Sequence, residues 1–173
     1  MGLFGLSVYN SAHMAVERTI DKIDGSILDI LQYNARTTQA VRLAPSAVLE
    51  RLRKLEAKGI IKDYVALIDP HVVDRGMLAF VAVRSSDYGP DMPSAVELSR
   101  IPEVMEVHHV AGDDCYMLKV RARDAEHLGQ ILRQQIGTTA NVVSTRTTIV
   151  LETVKEDPRI TIPKELTLKL ETK

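Results

Sequence analysis

The 173-residue sequence predicts an α+β chain in two parts, a helical N-terminal half and a mixed C-terminal half, and three observations carry that expectation. The first is a short basic helix, Pro45 to about Lys58, that follows another helix and precedes a β-rich run. The second is a change of pattern at Asp69-Pro70, after which apolar alternation replaces helical spacing. The third is the order strand, helix, strand, strand, helix, strand between Met77 and Leu151.

Within the first half, Ile20, Ile23, Ile27, Leu28, Ile30 and Leu31 fall on one helical face, with Thr19 or Asp21 as the N-cap. In the second helix, Val48, Leu52 and Leu55 recur at helical spacing and form a stripe for burial. Pro45 suits the first helical turn, and Gly59 suits a left-handed residue just past the end. Arg51, Arg53, Lys54, Lys58 and Lys62 lie off the stripe against only Glu50 and Glu56. Such a helix either presents a solvated cationic face or lies in the major groove of DNA, where phosphates attract it. Ile60 to Ala66 reads as a wing or connecting strand. Helix, turn, basic helix, strand is the order of a winged helix-turn-helix.

After a linker over 67–76, Met77 to Val83 is apolar on nearly every residue, a strand covered on both faces. Asp91-Met92-Pro93 opens a helix through about Arg100, which Pro102 stops. Val104 to Ala111 and Cys115 to Val120 make two strands joined by Gly112-Asp113-Asp114. Asp124 caps a helix with Leu128, Ile131, Leu132 and Ile136 on one face, ended by Gly137. Val142 to Leu151 is the fourth strand. The result is a ferredoxin-like βαββαβ unit with both helices on one face of an antiparallel sheet. The other face is covered either by a second copy, sheet to sheet, or by the C-terminal tail, where Leu166, Leu168 and Leu170 alternate. The two-fold dimer is the expected solution.

Net charge is −1, which argues against a wholly basic nucleic-acid coat. Residues 14–66 nevertheless hold nine Lys/Arg against seven Asp/Glu, and the rest of the chain thirteen against sixteen. A single cysteine excludes an intrachain disulfide and points to a reducing cytoplasm. No apolar run approaches the roughly 18 residues of a membrane span. The adjacent His108 and His109 point to opposite strand faces and cannot chelate one metal together, so buried packing or an interface hydrogen bond is expected of each. Cys115 has no histidine at motif spacing and reads as a buried structural thiol. No metal site, catalytic group or cofactor is expected. The domains are then 1–13, an extension or cloning remnant; 14–66, winged helix-turn-helix; 67–76, linker; 77–156, ferredoxin-like; and 157–173, tail.

Ile20-Asp21-Lys22-Ile23-Asp24 with Ile27, Leu28 and Leu31, the segment Leu43 to Leu55, the run Ile61 to Pro70, and the turns His108 to Asp113 and Thr138 to Val142 resemble the Lrp/AsnC, or feast/famine, regulators. The resemblance covers residues 19 to about 156. It implies a cytoplasmic DNA-binding homodimer that assembles into higher oligomers, such as an octamer, and binds an amino acid or similar small effector between subunits. It implies DNA contacts from Arg36, Arg42, Ser46, Ala47, Glu50, Arg51, Arg53 and Lys54. Arg51 is the expected reader of guanine O6/N7, while Arg53 and Lys54 touch phosphate. Ser46 and the helix N-terminus would also hydrogen-bond phosphate. An ion pair is the alternative for Glu50 and Arg53. Effector binding would fall to Ala111, Gly112, Asp113 and Asp114, whose turn exposes N–H groups and carboxylates, with Thr138 and Thr139 adding hydroxyls.

Two departures from the family pattern stand out. Cys115 occupies a position where aspartate is frequent. Thr37 to Leu43 is too short for the supporting helix of the pair plus a tight turn, through either true shortening or omitted residues. Two other functions fit parts of the pattern: a sirohaem-decarboxylase-like enzyme using His108 or His109 with Arg121 or Arg146, and a DNA-independent amino-acid-sensing oligomer.

Overall fold

The computed structural model describes residues 19–34, 44–87 and 91–167. The chain divides into two compact units, residues 1–66 together with 156–173, and residues 67–155.

In the first unit, α1 (Lys22–Tyr33) begins at Asp21, whose carboxylate accepts the Asp24 N–H at 2.8 Å while Asp24 accepts the Asp21 N–H at 3.3 Å. This reciprocal box satisfies two amides that helix geometry leaves orphaned. Helix α2 (Pro45–Ala57) opens with proline in its first turn and passes through Gly59 at φ +62°, as those residue types require. Val48, Leu52 and Leu55 are buried against Ile27 of α1, with Ile20, Ile23, Leu31, Ile60 and Ile61 around them. The spacing-derived stripe is therefore the core of this unit. The expected strand over Ile60 to Ala66 is absent: these residues carry no ladder, because no described strand lies beside them. Ile60 and Ile61 instead close the C-terminus of α2, both donating to Leu55 O.

In the second unit, the expected linker contains a 3-10 turn, Pro70–Val73, where Asp69 accepts the His71 N–H at 2.9 Å. The strands are β1 (Met77–Ser85), β2 (Val104–His109), β3 (Tyr116–Ala122) and β4 (Val142–Ile149), with α3 (Pro93–Leu98) and α4 (Ala125–Ile131) between them. α4 continues as a π turn, Leu132–Ile136. All pairs are antiparallel and the order is β2-β3-β1-β4, the ferredoxin-like arrangement. Ala79, Val81, Val83, Leu118 and Val120 meet Leu98, Leu128, Ile131 and Ile136 in the core. The opposite face is mixed rather than apolar. Phe80 is half exposed and stands opposite Lys119 and Thr148, while Ala82 faces Met117 and Arg146. The described part of the tail, through Thr167, adds no strand to this face and belongs to the first unit. Leu168 and Leu170 lie outside the described residues.

Candidate nucleic-acid interface and effector turn

Helix α2 sorts its residues by face, because a single 3.6-residue period separates the buried stripe from everything else. Ser46, Glu50, Arg53, Lys54, Lys58 and Lys62 are exposed, and Ala47 is half-buried. No side chain caps the helix N-terminus. Glu50 accepts from Lys54 at 2.7 Å, one helical turn away, and this hydrogen bond holds the glutamate below the usual carboxylate range. Both partners are about two-thirds exposed, so the pair is weak and easily exchanged for other partners.

Arg51, the expected reader of a base, is engaged within the unit itself. Its Nη1 donates to Asp21 Oδ2 and to Asp24 Oδ1, each at 2.7 Å. The two carboxylates raise the guanidinium's proton affinity. Partial burial works against ionised Asp21, yet the Asp24 N–H and Arg51 together keep its carboxyl below the ordinary value. The cause is positional: Arg51 stands beside the stripe, close enough to reach the capping box of α1. It ties the two helices together, and moving it into a groove would break two charge-assisted hydrogen bonds. Arg36 and Arg42 lie outside the described residues, as does the short Thr37–Leu43 segment.

In the second unit, Ala111, Gly112 and Asp113 are exposed at the β2–β3 turn, with Gly112 at φ +131°. Asp114 reaches β4, where Arg146 donates to it at 2.7 Å. The Thr138 hydroxyl is bonded to Gln134 O at 2.8 Å and the Thr139 hydroxyl to Gln135 O at 3.0 Å. These protons serve the helix end, leaving hydroxyl lone pairs for a ligand. The strand register puts the turn and the threonine loop at the same end of the sheet, where β1 finishes.

Between them lies a polar network that the sequence reading missed. Asp87 accepts from the Ser94 N–H, the Tyr116 hydroxyl and the Asn141 amide, each at 3.0 Å. The Ser94 hydroxyl, fully buried, lies 2.7 Å from Ala140 O and 3.1 Å from Asp87. Burial alone would raise the Asp87 pKa, but these donors hold it below its ordinary value. Burial and the Asp87 hydrogen bond push Tyr116 up to about 12. The network fixes the end of the sheet from which the turn projects.

His108 and His109 are both exposed rather than buried. His108 pairs with Glu106 at 3.0 Å, and the His109 ring tilts against Tyr116. Cys115 is half-buried and bonds the backbone of Ser85. Among the described residues no cluster of three or more His, Cys, Asp or Glu could hold a metal, and no helix is long and apolar enough to cross a membrane.

A two-helix head with an outward basic face, followed by a ferredoxin-like sheet domain, defines a class of DNA-binding regulator. A winged helix-turn-helix DNA-binding model matches residues 20–62, and an Lrp/AsnC ligand-binding domain model matches residues 78–160. The leucine-responsive regulatory protein of Klebsiella pneumoniae is 36% identical over 154 positions, covering 84% of this chain and 93% of that protein. A feast or famine regulatory protein of Mycobacterium tuberculosis, solved with L-methionine, superimposes with a TM-score of 0.76 at 36% identity, covering 84% of this chain and all of that one. A Neisseria meningitidis transcriptional regulator, also in complex with L-methionine, gives a TM-score of 0.76 at 29% identity, covering 84% and 99%. The chain belongs to the Lrp/AsnC family of transcriptional regulators. The tetrapyrrole-enzyme alternative draws no support from these relatives. The Klebsiella alignment has more positions than the share of this chain it covers has residues, so that relative carries residues this chain lacks.

Proposed function

We propose that the chain is a non-catalytic, cytoplasmic regulator that binds double-stranded DNA through α2. The observation that carries this reading is the exposed basic side chains of Arg53 and Lys54 on a helix whose other face is buried, with exposed Lys58 at its C-cap and Lys62 just beyond. Arg53 and Lys54 contact phosphate; Ser46 and the uncapped helix N-terminus supply further phosphate donors, and Ala47 and Glu50 lie along the groove-facing edge. Arg36 and Arg42 add charge from the preceding segment of the sequence. Arg51 acts as a positioning residue that mounts α2 on α1. The direct test is binding to a duplex from the protein's own upstream region, titrated with salt. Affinity should fall steeply as salt rises; salt-independent binding, or none at low salt, would overturn the reading.

The effector is an amino acid or a similar small molecule, as in the L-methionine complexes of the two relatives. The exposed N–H groups of Ala111, Gly112 and Asp113 receive its carboxylate, Asp113 and Asp114 its ammonium, and Thr138 and Thr139 accept further hydrogen bonds. Protomers pair sheet to sheet as homodimers that assemble into higher oligomers with the effector between subunits. Effector binding then changes assembly and the spacing of recognition helices along DNA. Unchanged oligomer distributions and DNA affinities across an amino-acid panel would exclude this coupling.

A second reading, a DNA-independent amino-acid sensor, is favoured by one observation: Thr37 to Leu43 is short for a supporting helix plus a tight turn. Amino-acid binding without any shift of duplex DNA would select it.

A further inference from the structure

A glycine inside α1 marks where another part of the chain comes to rest. Gly25 is buried, and a Cβ built on it would run into the carbonyl oxygen of Leu166. Seven residues along, and so on the same stripe about 10 Å away, Gln32 meets the same C-terminal segment. Its amide donates to Ile160 O at 3.0 Å and its carbonyl accepts the Ile160 N–H at 2.6 Å. The side chain thus treats residue 160 as a strand neighbour would, reading backbone rather than side chain. Next to it, the Arg159 guanidinium stacks 4.4 Å from the Tyr33 ring centre while gripping both oxygens of Asp157. The segment therefore runs antiparallel to the helix, with Arg159 and Ile160 at its C-terminal end and Leu166 near its N-terminal end. Pro158 and Pro163 keep it extended, and Pro163 starts the 3-10 turn (Lys164–Leu166) that delivers the Leu166 carbonyl.

We propose that α1 carries a docking stripe made of Gly25, Gln32 and Tyr33, and that its partner is the chain's own C-terminal segment, residues 156–167, acting as a permanent strap of the DNA-binding unit. The strap braces the helix to which Arg51 fastens α2. Its consequence for DNA affinity rests on the function proposed above; the seating itself does not.

The test uses the full chain, with limited trypsin cleavage after Arg159 and Lys164 and hydrogen exchange at the α1 amides, in the wild type, Gly25→Ala and Gln32→Ala. Substituting alanine for a glycine within a helix that touches nothing there strengthens the helix and slows its exchange. A seated strap reverses the sign. Gly25→Ala should release the segment, with cleavage roughly tenfold faster and faster α1 exchange, while the β1 and β3 amides stay protected. Gln32→Ala, which leaves the backbone of α1 unaltered, should shift both readouts in the same direction by less. Equal cleavage in all three proteins, or slower α1 exchange in Gly25→Ala, would overturn the proposal. Wild type that protects the segment yet ignores a 30-base-pair duplex at low salt would leave the strap standing and remove only the DNA reading.

Discussion

Arg51 Nη1 and Asp24 Oδ1 stand 2.7 Å apart, joining the basic helix to the capping box of its neighbour. Asp24's side chain is mostly buried, and Arg51's is about a third exposed. The hydrophobic core between the helices is small, so this polar fastening carries a large share of their mutual orientation.

Arg51→Ala should therefore act first on the head's stability. After allowing for solvent screening, the loss is about 1 kcal/mol, read as faster hydrogen exchange in α1 and α2. Asp24→Ala should have a similar effect, and the double variant should cost less than the sum because both remove one interaction. Additive losses would show that Arg51 stabilises α2 by some other contact.

Arg53→Ala should leave that exchange unchanged, since the side chain is exposed and off the stripe. Its effect belongs to DNA: affinity falls across all sequences, and the slope of log affinity against log salt drops by about 0.9 for one lost phosphate contact. Loss of preference at one base position, with the slope preserved, would assign Arg53 a base rather than a phosphate.

The sheet unit should be most stable between about pH 4 and pH 10. Asp87 has a folded pKa depressed below its ordinary 3.8, so its contribution is complete above that value and is lost as pH falls through the depressed one. Tyr116 is raised to about 12 from 10.0, so its contribution is complete below 10 and disappears as pH climbs toward 12. In an ultraviolet titration, one tyrosine ionising near pH 12 should vanish in Tyr116→Phe. If no such late ionisation appears, Tyr116 is not buried against Asp87 in solution.

Ser94→Ala removes the fully buried hydroxyl that serves Ala140 O and Asp87. The expected cost is about 1–3 kcal/mol, measured by denaturant unfolding of the sheet unit. The Asp87 titration should move upward at the same time.

The limits of α2 were legible because Pro45 and Gly59 act through their own backbone chemistry. The succession of strands and helices in the second unit was legible because alternating apolar runs and capped amphipathic stretches mark each element. Side-chain partners were not legible. A basic residue beside a helical stripe can turn to solvent or inward, and what turned Arg51 inward was a pair of aspartates 27 and 30 residues earlier in the chain. Thr138 and Thr139 were recognised as hydroxyls near a helix end, but not as donors to its last carbonyls. The strand expected over Ile60 to Ala66 failed because β propensity needs a neighbour to pair with. Gly25 was the overlooked signal: a glycine inside an amphipathic helix, well before its C-terminus, costs stability, and a close approach of other backbone is a reason for keeping it.

The first unit is assembled from two stretches of chain separated by the whole of the sheet unit. On the ribosome, residues 67–155 emerge before the stretch that completes the head, so the sheet unit is free to fold first. The head reaches its final form only when translation has passed Thr167. A nascent chain stalled short of that point would carry a finished sheet unit and a head still missing its second stretch.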